Sequence, residues 1–310
     1  MQMNIAFVFP GQGSQTPGML HRLPDHRAVL RTFEEISAEL QHDVRQLDSP
    51  ESLHSAVSVQ LALLSAGVAA ARALEDEGVI PESVAGLSVG AFAAAVHAHV
   101  LTLADGIRLV RQRAELMKQH SPDGYGLVAI LGLKEDQVVT LVQEANTADN
   151  PAYLGNVNAP EQIVISGSWN GMQKVSDAAL KAGARKAERL NVPVLSHSPL
   201  LQPVADALTQ TLQSIQLRAP RMVYVGNVNA RAMRTAEEIA WDLASNIAHG
   251  VRWYEATTVL QELGCSLFIE MPPGRVLTNL AKGSLPEVRS IALADSSLSY
   301  VVRQAYQHSL

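Results

Sequence analysis

The sequence predicts an α/β protein with a large, mostly parallel sheet and a smaller β-α-β-β-α-β unit in the middle of the chain. Short apolar runs alternate with helical patterns along the 310 residues. Hydrophobic residues make up 47% of the chain and charged residues 17%, which favours a well-buried core over disorder. Within residues 126–190 the order of patterns is β-α-β-β-α-β, which is typical of a ferredoxin-like unit.

The strands are predicted from short apolar runs, the first of which is ended by Pro10-Gly11. They are Ile5–Phe9, Ser83–Leu87, Gly126–Leu133, Ala152–Asn158, Gln162–Ser166, Arg185–Leu190, Arg221–Val225 and Ser266–Glu270. The helices are predicted from apolar periodicity or, around residue 94, from alanine content. They are Ala28–Leu40, a helix within Pro50–Leu74, Val89–His99, Leu103–His120, Lys134–Ala145, Asn170–Ala182, a helix after Pro193–Ser196, Ala236–Ile247, Trp253–Leu263 and Gly274–Lys282.

The β-α-β-β-α-β unit is predicted to be an inserted domain. Turn sequences flank it at Pro122-Asp123-Gly124 and Val192-Pro193. The expected division is therefore a large α/β domain from residues 1–122 and 191–310, with a small domain at 123–190.

Composition excludes several classes of protein. The net charge of −6 argues against a nucleic-acid partner, and a single cysteine, Cys265, leaves no disulfide framework and no cysteine-based zinc site. The longest apolar stretches contain polar residues or fall short of about 18 residues, so no membrane span is expected. The first residues, MQMNIAFVFPGQGSQ, lack the basic region of a signal peptide, and we expect a cytoplasmic protein.

A G-x-S-x-G pattern centres on Ser88, between a predicted strand and a predicted helix. This context is typical of the nucleophile elbow of an α/β-hydrolase-like domain. The following helix would direct free N–H groups and its positive dipole end toward the serine. The alternative is a turn of small residues that packs a helix on a sheet.

A nucleophilic serine needs a base, and His197 is the candidate. It follows the apolar VPVL and precedes Ser198-Pro199, a good helix N-cap and first turn. His197 would then lie at a strand-to-helix junction near a helix N-terminus, which favours the neutral imidazole that proton abstraction requires. The alternative is a histidine packed beneath a loop.

Two further features have weaker signals. The stretch FPGQGSQTPG (9–18) fails the G-x-G-x-x-G test because Thr16 replaces the last glycine, and no lysine follows to make a P-loop. What remains is a tight turn that either supplies a second oxyanion donor or is only structural.

Arg113 shares a helix with Arg108 and Arg111, and periodicity alone gives it no role beyond surface solvation.

Together these motifs resemble the malonyl-CoA:acyl-carrier-protein transacylase family. The resemblance extends over nearly the whole chain and is carried by FPGQGSQ, the G-x-S-x-G pattern, LVRQRAELM, SHSPLL, VRWYEATTVLQELG and EMPPGRVLTNL. It implies an enzyme, a malonyl-CoA:acyl-carrier-protein S-malonyltransferase. Its substrate would be a CoA thioester and its acceptor the phosphopantetheine-type arm of an acyl carrier protein, with no permanently bound cofactor and no metal.

The resemblance also implies roles for particular residues. Ser88 matches the nucleophile and His197 its base. Arg113 matches the arginine that binds the malonyl carboxylate. The backbone N–H groups of Gln12 and Val89 match the oxyanion hole. Asn246, where the family usually has glutamine, matches the residue whose backbone carbonyl orients the histidine.

The elbow sequence GLSVGA departs from the family's common G-H-S-L-G-E. It looks more like the epsilon subunit of malonate decarboxylase, which predicts that the chain charges the carrier protein of that complex. The alternative is the transacylase of fatty-acid or polyketide synthesis. Two other classes of protein are alternatives: an α/β-hydrolase esterase or thioesterase, which needs a carboxylate between Ser88 and His197, and a non-catalytic binding module with a degenerate site.

Overall fold

The computed structural model describes residues 4–190, 192 and 194–309, and in this part of the chain the strands form two sheets. The strands are β1 (Asn4–Phe9), β2 (Ser83–Gly86), β3 (Tyr125–Leu131), β4 (Ala152–Ala159), β5 (Gln162–Ser168), β6 (Lys186–Arg189), β7 (Val223–Val225), β8 (Ala232–Met233), β9 (Cys265–Glu270) and β10 (Arg289–Ala292). The helices are α1 (Arg27–Leu40), α2 (Ala56–Asp76), α3 (Gly90–His97), α4 (Leu103–His120), α5 (Glu135–Ala145), α6 (Trp169–Lys181), α7 (Gln202–Gln213), α8 (Ala236–Ser245), α9 (Trp253–Glu262), α10 (Val276–Ser284) and α11 (Leu298–Ser309).

The larger sheet has the order β10-β9-β1-β2-β7-β8. All its neighbouring strands pair in parallel except β7 and β8, which confirms the predicted mostly parallel sheet. The register of β1 on β2 sets Phe9 opposite Gly86. Because the two strands end at the same edge, the turn after β1 and the elbow after β2 lie side by side.

The smaller sheet is antiparallel, with the order β4-β5-β3-β6. Its elements follow the chain order β3, α5, β4, β5, α6, β6, as the sequence predicts. Apolar side chains of the sheet, such as Ile130 and Ile163, pack with Val138 of α5 and Met172 of α6 in a separate core cluster.

Main-chain hydrogen bonds join this small sheet to the rest of the protein. Val157 of β4 donates to the Val251 carbonyl, and the Val251 amide donates to the Gly155 carbonyl, each at 2.8 Å. The neighbouring Arg252 forms ion pairs with Glu135 of α5 and with Glu255 of α9. The segment before α9 therefore contacts both sheets, and it leads directly from the end of α8.

Helix α2 lies at the centre of the larger core. It has 21 residues and is long and apolar enough to cross a membrane, but 83% of its most apolar window is buried inside the fold. A Cβ at its Gly67 would lie 3.0 Å from the Phe9 ring and 3.3 Å from the Ala93 side chain, so this glycine permits close packing on β1 and α3. Of its polar residues, Gln60 and Ser65 are buried, and the Ser65 hydroxyl donates to the Leu61 carbonyl at 2.7 Å.

Several boundaries differ from the prediction. Helix α2 begins at Ala56 because residues 52–54 form a separate 3₁₀ turn. Helix α3 ends at His97, since His99 has a left-handed φ of 64°. Strands β8 and β10 and helix α11 were not predicted: β8 has two residues, β10 begins with the polar Arg289-Ser290, and α11 is rich in polar residues. The predicted turn at Val192-Pro193 and the predicted entry at Pro193 fall partly outside the described residues.

Candidate active site

Ser88 lies in a sharp turn between β2 and α3, as the elbow pattern predicts. Its φ is 54°, a left-handed value that is costly for a residue with a side chain. Two glycines make the turn possible. A Cβ at Gly86 would lie 2.1 Å from the Gly90 carbonyl carbon, and a Cβ at Gly90 would lie 2.2 Å from the Phe9 oxygen. The G-x-S-x-G spacing is therefore required by close backbone contacts on both sides of the serine.

His197 contacts the Ser88 hydroxyl, with 2.8 Å between Nε2 and Oγ. Its Nδ1 lies 2.7 Å from the Asn246 carbonyl oxygen. A carbonyl only accepts hydrogen bonds, so Nδ1 carries the proton and Nε2 is free to accept from the serine. Burial, together with the positive charge of Arg113, lowers the pKa of His197 to about 4, against the opposing contribution of backbone hydrogen bonds at Asn246 and His249. The imidazole is therefore neutral at pH 7, the form that a general base needs.

The backbone of His197 is also fixed. Its φ is 55°, and its carbonyl accepts a hydrogen bond of 3.0 Å from the Ser166 hydroxyl of β5. Ser198 caps the following 3₁₀ turn through Leu200, with Pro199 in the first position, as the sequence predicts. The base is thus supported by a strand of the smaller sheet as well as by the end of α8.

Arg113 is buried on α4 and is only 1% exposed, in contrast to the surface position that periodicity alone suggested. Its Nη2 donates to Ser88 Oγ at 3.0 Å, and its Nη1 donates to Gln60 Oε1 at 2.7 Å. No carboxylate among the described residues pairs with it, and its Nε has no hydrogen-bond partner there. Burial lowers the pKa of Arg113 to about 9, so the site contains a guanidinium without a counter-ion.

The turn after β1 packs directly against the elbow. A Cβ at Gly11 would lie 2.6 Å from the Leu87 carbonyl oxygen. Neither the Gln12 nor the Val89 backbone amide donates to another group within the described part of the chain. Free amides in these two positions, one of them at the start of a helix, suit a developing negative charge next to Ser88.

Sequence reasoning missed Gln60, which is fully buried in α2. It accepts from Arg113 and places its amide nitrogen 3.4 Å from both Gln12 Oε1 and Met117 Sδ. A glutamine within the apolar run VSVQLALL was the available signal, because a buried amide must have polar partners. Asn227, which contacts the Ser88 amide, was also missed and had no distinguishing local pattern.

The site therefore combines a serine on a strained turn, a neutral histidine aligned to accept its proton, and an unpaired buried cation. The group on His197 Nδ1 is a backbone carbonyl, whereas an α/β-hydrolase triad has a carboxylate there. Among the residues described, no group of three or more His, Cys, Asp or Glu side chains is placed to hold a metal ion. These features are typical of enzymes of the serine acyl-transfer class.

Comparison with known proteins gives the family. The acyl transferase domain family matches residues 6–298, and the chain belongs to it. The malonyl CoA-acyl carrier protein transacylase of Haemophilus influenzae is 35% identical over 297 residues, covering 94% of this chain and 95% of the relative. The enzyme of the same name from Escherichia coli K12 is 35% identical over 298 residues, covering 94% and 96%.

Solved structures of related proteins are also similar to this chain. The malonyl CoA-acyl carrier protein transacylase of Coxiella burnetii has a TM-score of 0.94 at 32% identity and covers 100% of this chain and 99% of its own. A malonyl-transacylase in complex with a type II polyketide synthase acyl-carrier protein has a TM-score of 0.92 at 34% identity, covering 97% and 99%. The predicted family is thereby confirmed, and the chain is an acyltransferase.

Proposed function

We propose that the protein transfers a malonyl group from malonyl-CoA to the thiol of an acyl carrier protein. The observation that carries the proposal is the buried guanidinium of Arg113, which lies 3.0 Å from Ser88 Oγ and has no carboxylate partner among the described residues. A planar guanidinium binds a carboxylate through two parallel hydrogen bonds. A malonyl thioester brings a carboxylate close to its reacting carbonyl, so the substrate supplies the missing counter-ion.

The first half-reaction forms a malonyl ester on Ser88. His197 accepts the hydroxyl proton at Nε2 while Oγ attacks the thioester carbonyl. The amides of Gln12 and Val89 stabilise the oxyanion. The tetrahedral intermediate then expels the CoA thiolate, which takes the proton from His197 and leaves as CoA thiol.

The second half-reaction transfers the group to the carrier. His197 removes the proton of the incoming phosphopantetheine-type thiol, whose sulfur attacks the ester carbonyl. Ser88 leaves as the alcohol after taking back the proton. The thioester supplies the activation for both steps, so the scheme uses no permanently bound cofactor.

The acceptor that we propose is a carrier protein of fatty-acid or polyketide synthesis. The related proteins are named for transfer to acyl carrier protein, and one similar structure holds a type II polyketide synthase carrier. These names support a transacylase of fatty-acid or polyketide synthesis and give no support to the malonate decarboxylase subunit that the elbow sequence suggested. Leu87, Val89 and Ala91, the elbow's departures from the family pattern, are buried or nearly so, which makes them packing differences.

We also propose that the two sheets belong to two domains, an α/β-hydrolase-like domain from residues 1–122 and 191–310 and a ferredoxin-like domain at 123–190. The separate core of the smaller sheet and its element order support this division. Limited proteolysis that cuts within residues 120–124 and near residue 192, while leaving 125–190 intact, is the expected result. Cleavage distributed through both sheets at equal rates would contradict it.

The proposed function is tested by following the malonyl group. Incubation with malonyl-CoA should add one malonyl group to Ser88, detectable by peptide mass spectrometry, and addition of a holo-carrier protein should remove it as carrier thioester. The matched control is the apo-carrier, which lacks the thiol. Release of free malonate at the same rate with and without holo-carrier would instead identify a thioesterase, and label on another residue would reject Ser88 as the nucleophile.

A further inference from the structure

Asp242 is a fully buried carboxylate near the end of α8. Its Oδ1 accepts from the backbone amides of Asn227 and Val228 at 2.7 and 3.0 Å. Its Oδ2 accepts from the Tyr224 hydroxyl at 2.8 Å and from Asn227 Nδ2 at 3.3 Å. Burial raises the pKa of Asp242, whereas the hydrogen bonds from Val228, Tyr224 and Asn227 favour the ionised form. All four contacts come from groups that can donate, so the carboxylate has the partners that a buried acceptor requires.

The carboxylate determines how the Asn227 side chain is oriented. Asn227 Oδ1 accepts a hydrogen bond of 2.9 Å from the Ser88 backbone amide. A backbone N–H can only donate and a carboxylate can only accept. Asn227 must therefore present its oxygen to Ser88 and its NH₂ group to Asp242, and the reverse orientation would lose both hydrogen bonds.

The hydrogen bond to Ser88 acts on the strained part of the elbow. The left-handed φ of Ser88 makes its conformation costly, so it depends on contacts from outside the turn. Asn227 fixes the peptide group that precedes the serine Cα. The peptide group that follows carries the Val89 amide, so a rotation at Ser88 would move both Oγ and this proposed oxyanion donor.

Asp242 also supports the base through the helix backbone. The Asn246 amide donates to the Asp242 carbonyl at 3.0 Å, and the Asn246 carbonyl accepts from His197 Nδ1. The Asp242 side chain is thus connected to Ser88 through Asn227, and the Asp242 backbone is connected to His197 through Asn246.

We propose that Asn227, anchored by Asp242, is a positioning residue that holds Ser88 in its reactive conformation. The inference rests on the proposed function only in taking Ser88 as the nucleophile. Its consequence is specific: loss of Asn227 should slow the attack by Ser88 and leave donor binding unchanged, because Asn227 contacts the Ser88 backbone amide and not Arg113, which contacts Oγ.

The test measures serine reactivity with a fluorophosphonate probe, which needs neither CoA nor a carrier. In Asn227→Ala the second-order rate of Ser88 labelling should fall by roughly 10- to 100-fold, the range for a small misplacement of a reacting group. The KM for malonyl-CoA should stay within about twofold, since a lost orientation acts on turnover. Labelling is located by peptide mass spectrometry.

Asp242→Asn is the second variant and keeps the side-chain volume. Its Oδ1 still accepts from the Asn227 and Val228 amides, but its NH₂ group faces the NH₂ of Asn227 and forces that side chain to turn. Labelling should fall by about tenfold, as the loss of one oriented hydrogen bond predicts. If circular dichroism shows that Asn227→Ala does not fold, the labelling rate of Ser88 in Asp242→Asn tests the positioning role by itself.

Tyr224→Phe is the matched control, because it removes a hydrogen bond to the same carboxylate and leaves the Asn227 hydrogen bonds to the Ser88 amide and to Asp242 Oδ2. It should lower the melting temperature while Ser88 labels at the wild-type rate. Wild-type labelling rates in Asn227→Ala and Asp242→Asn would overturn the positioning role. So would an equal loss in Tyr224→Phe, which would make the network a support of the fold alone. Failure of wild-type Ser88 to label would reject the proposed nucleophile itself, a result distinct from the other two.

Discussion

Replacing Arg113 by alanine should separate malonyl transfer from acyl transfer in general. In the wild type the guanidinium is 1% exposed and lies 3.0 Å from Ser88 Oγ, with Gln60 as its other described polar contact. Removing it leaves a malonyl carboxylate at this buried position with no cation. Acetyl-CoA has no such carboxylate, and for this donor the change only removes an unpaired buried charge.

The size of the effect follows from burial. Removing one partner of a buried ion pair costs about 3–5 kcal/mol. Since about 1.4 kcal/mol corresponds to a factor of ten, kcat/KM for malonyl-CoA should fall by roughly 10²- to 4 × 10³-fold. The loss for acetyl-CoA should stay within about tenfold, the value of a single hydrogen bond to Ser88 or Gln60. Arg113→Lys should recover only part of the malonyl activity because an ammonium lacks the two-pronged geometry.

The assay is kcat/KM for malonyl-CoA and acetyl-CoA with one holo-carrier as acceptor. Arg108→Ala is the matched control on the same helix, since Arg108 is exposed and pairs with Glu39 at 2.8 Å. It should change neither donor's kinetics. Equal losses for both donors in Arg113→Ala would show that Arg113 supports the fold or the nucleophile, and the carboxylate role would have to be abandoned.

Three other predictions concern the histidines and the nucleophile. Ser88→Ala should abolish the covalent malonyl adduct, measured by mass spectrometry, while the circular dichroism spectrum is retained. His197→Ala should reduce turnover by roughly 10²–10⁴-fold, as expected for loss of a general base, and wild-type turnover should be constant near neutral pH and fall as the pH approaches the His197 pKa of about 4. His97, which packs against the rings of Phe7 and Phe9, has its pKa lowered to about 3 by burial, so acid should destabilise the wild type more than His97→Gln. The unfolded chain takes up a proton on His97 below about pH 6.5 while the folded protein does not, so between pH 7 and pH 5 the wild type should lose about 2 kcal/mol more unfolding free energy than the variant.

Each of these has a contradicting result. An adduct in Ser88→Ala would move the nucleophile elsewhere. Near-normal turnover in His197→Ala, or a wild-type rate that already falls between pH 8 and pH 6, would show that another group is the general base. Parallel stability curves for the wild type and His97→Gln, from urea unfolding at each pH, would show that His97 titrates normally in the folded protein.

Much of the site could be predicted because its signals are local. The strand–turn–helix pattern around Ser88 is enough to identify the elbow, although only the close contact at Gly86 lies within the turn and the one at Gly90 is with Phe9 of β1. His197 was found in the same way, from the cap and proline that follow it. Asn246 was assigned only through the family resemblance, because no pattern in the sequence distinguishes a residue that acts through its backbone carbonyl.

By itself, the sequence determined the order of most strands and helices, the mostly parallel main sheet, the β-α-β-β-α-β unit and the turn that carries the serine, since these depend on residue periods and on neighbours a few positions away. It did not reveal β8, β10 or α11. Only the tertiary structure decided that Arg113 is buried without a carboxylate, that Gln60 contacts it from 53 positions earlier, and that Asn227 reaches the Ser88 amide from 139 positions later. Such contacts depend on which helix faces which loop once the two sheets are assembled. The periodicity of a helix gives the direction of a side chain but not the group that lies opposite it. For a buried polar side chain, that opposing group determines both the charge state and the chemistry.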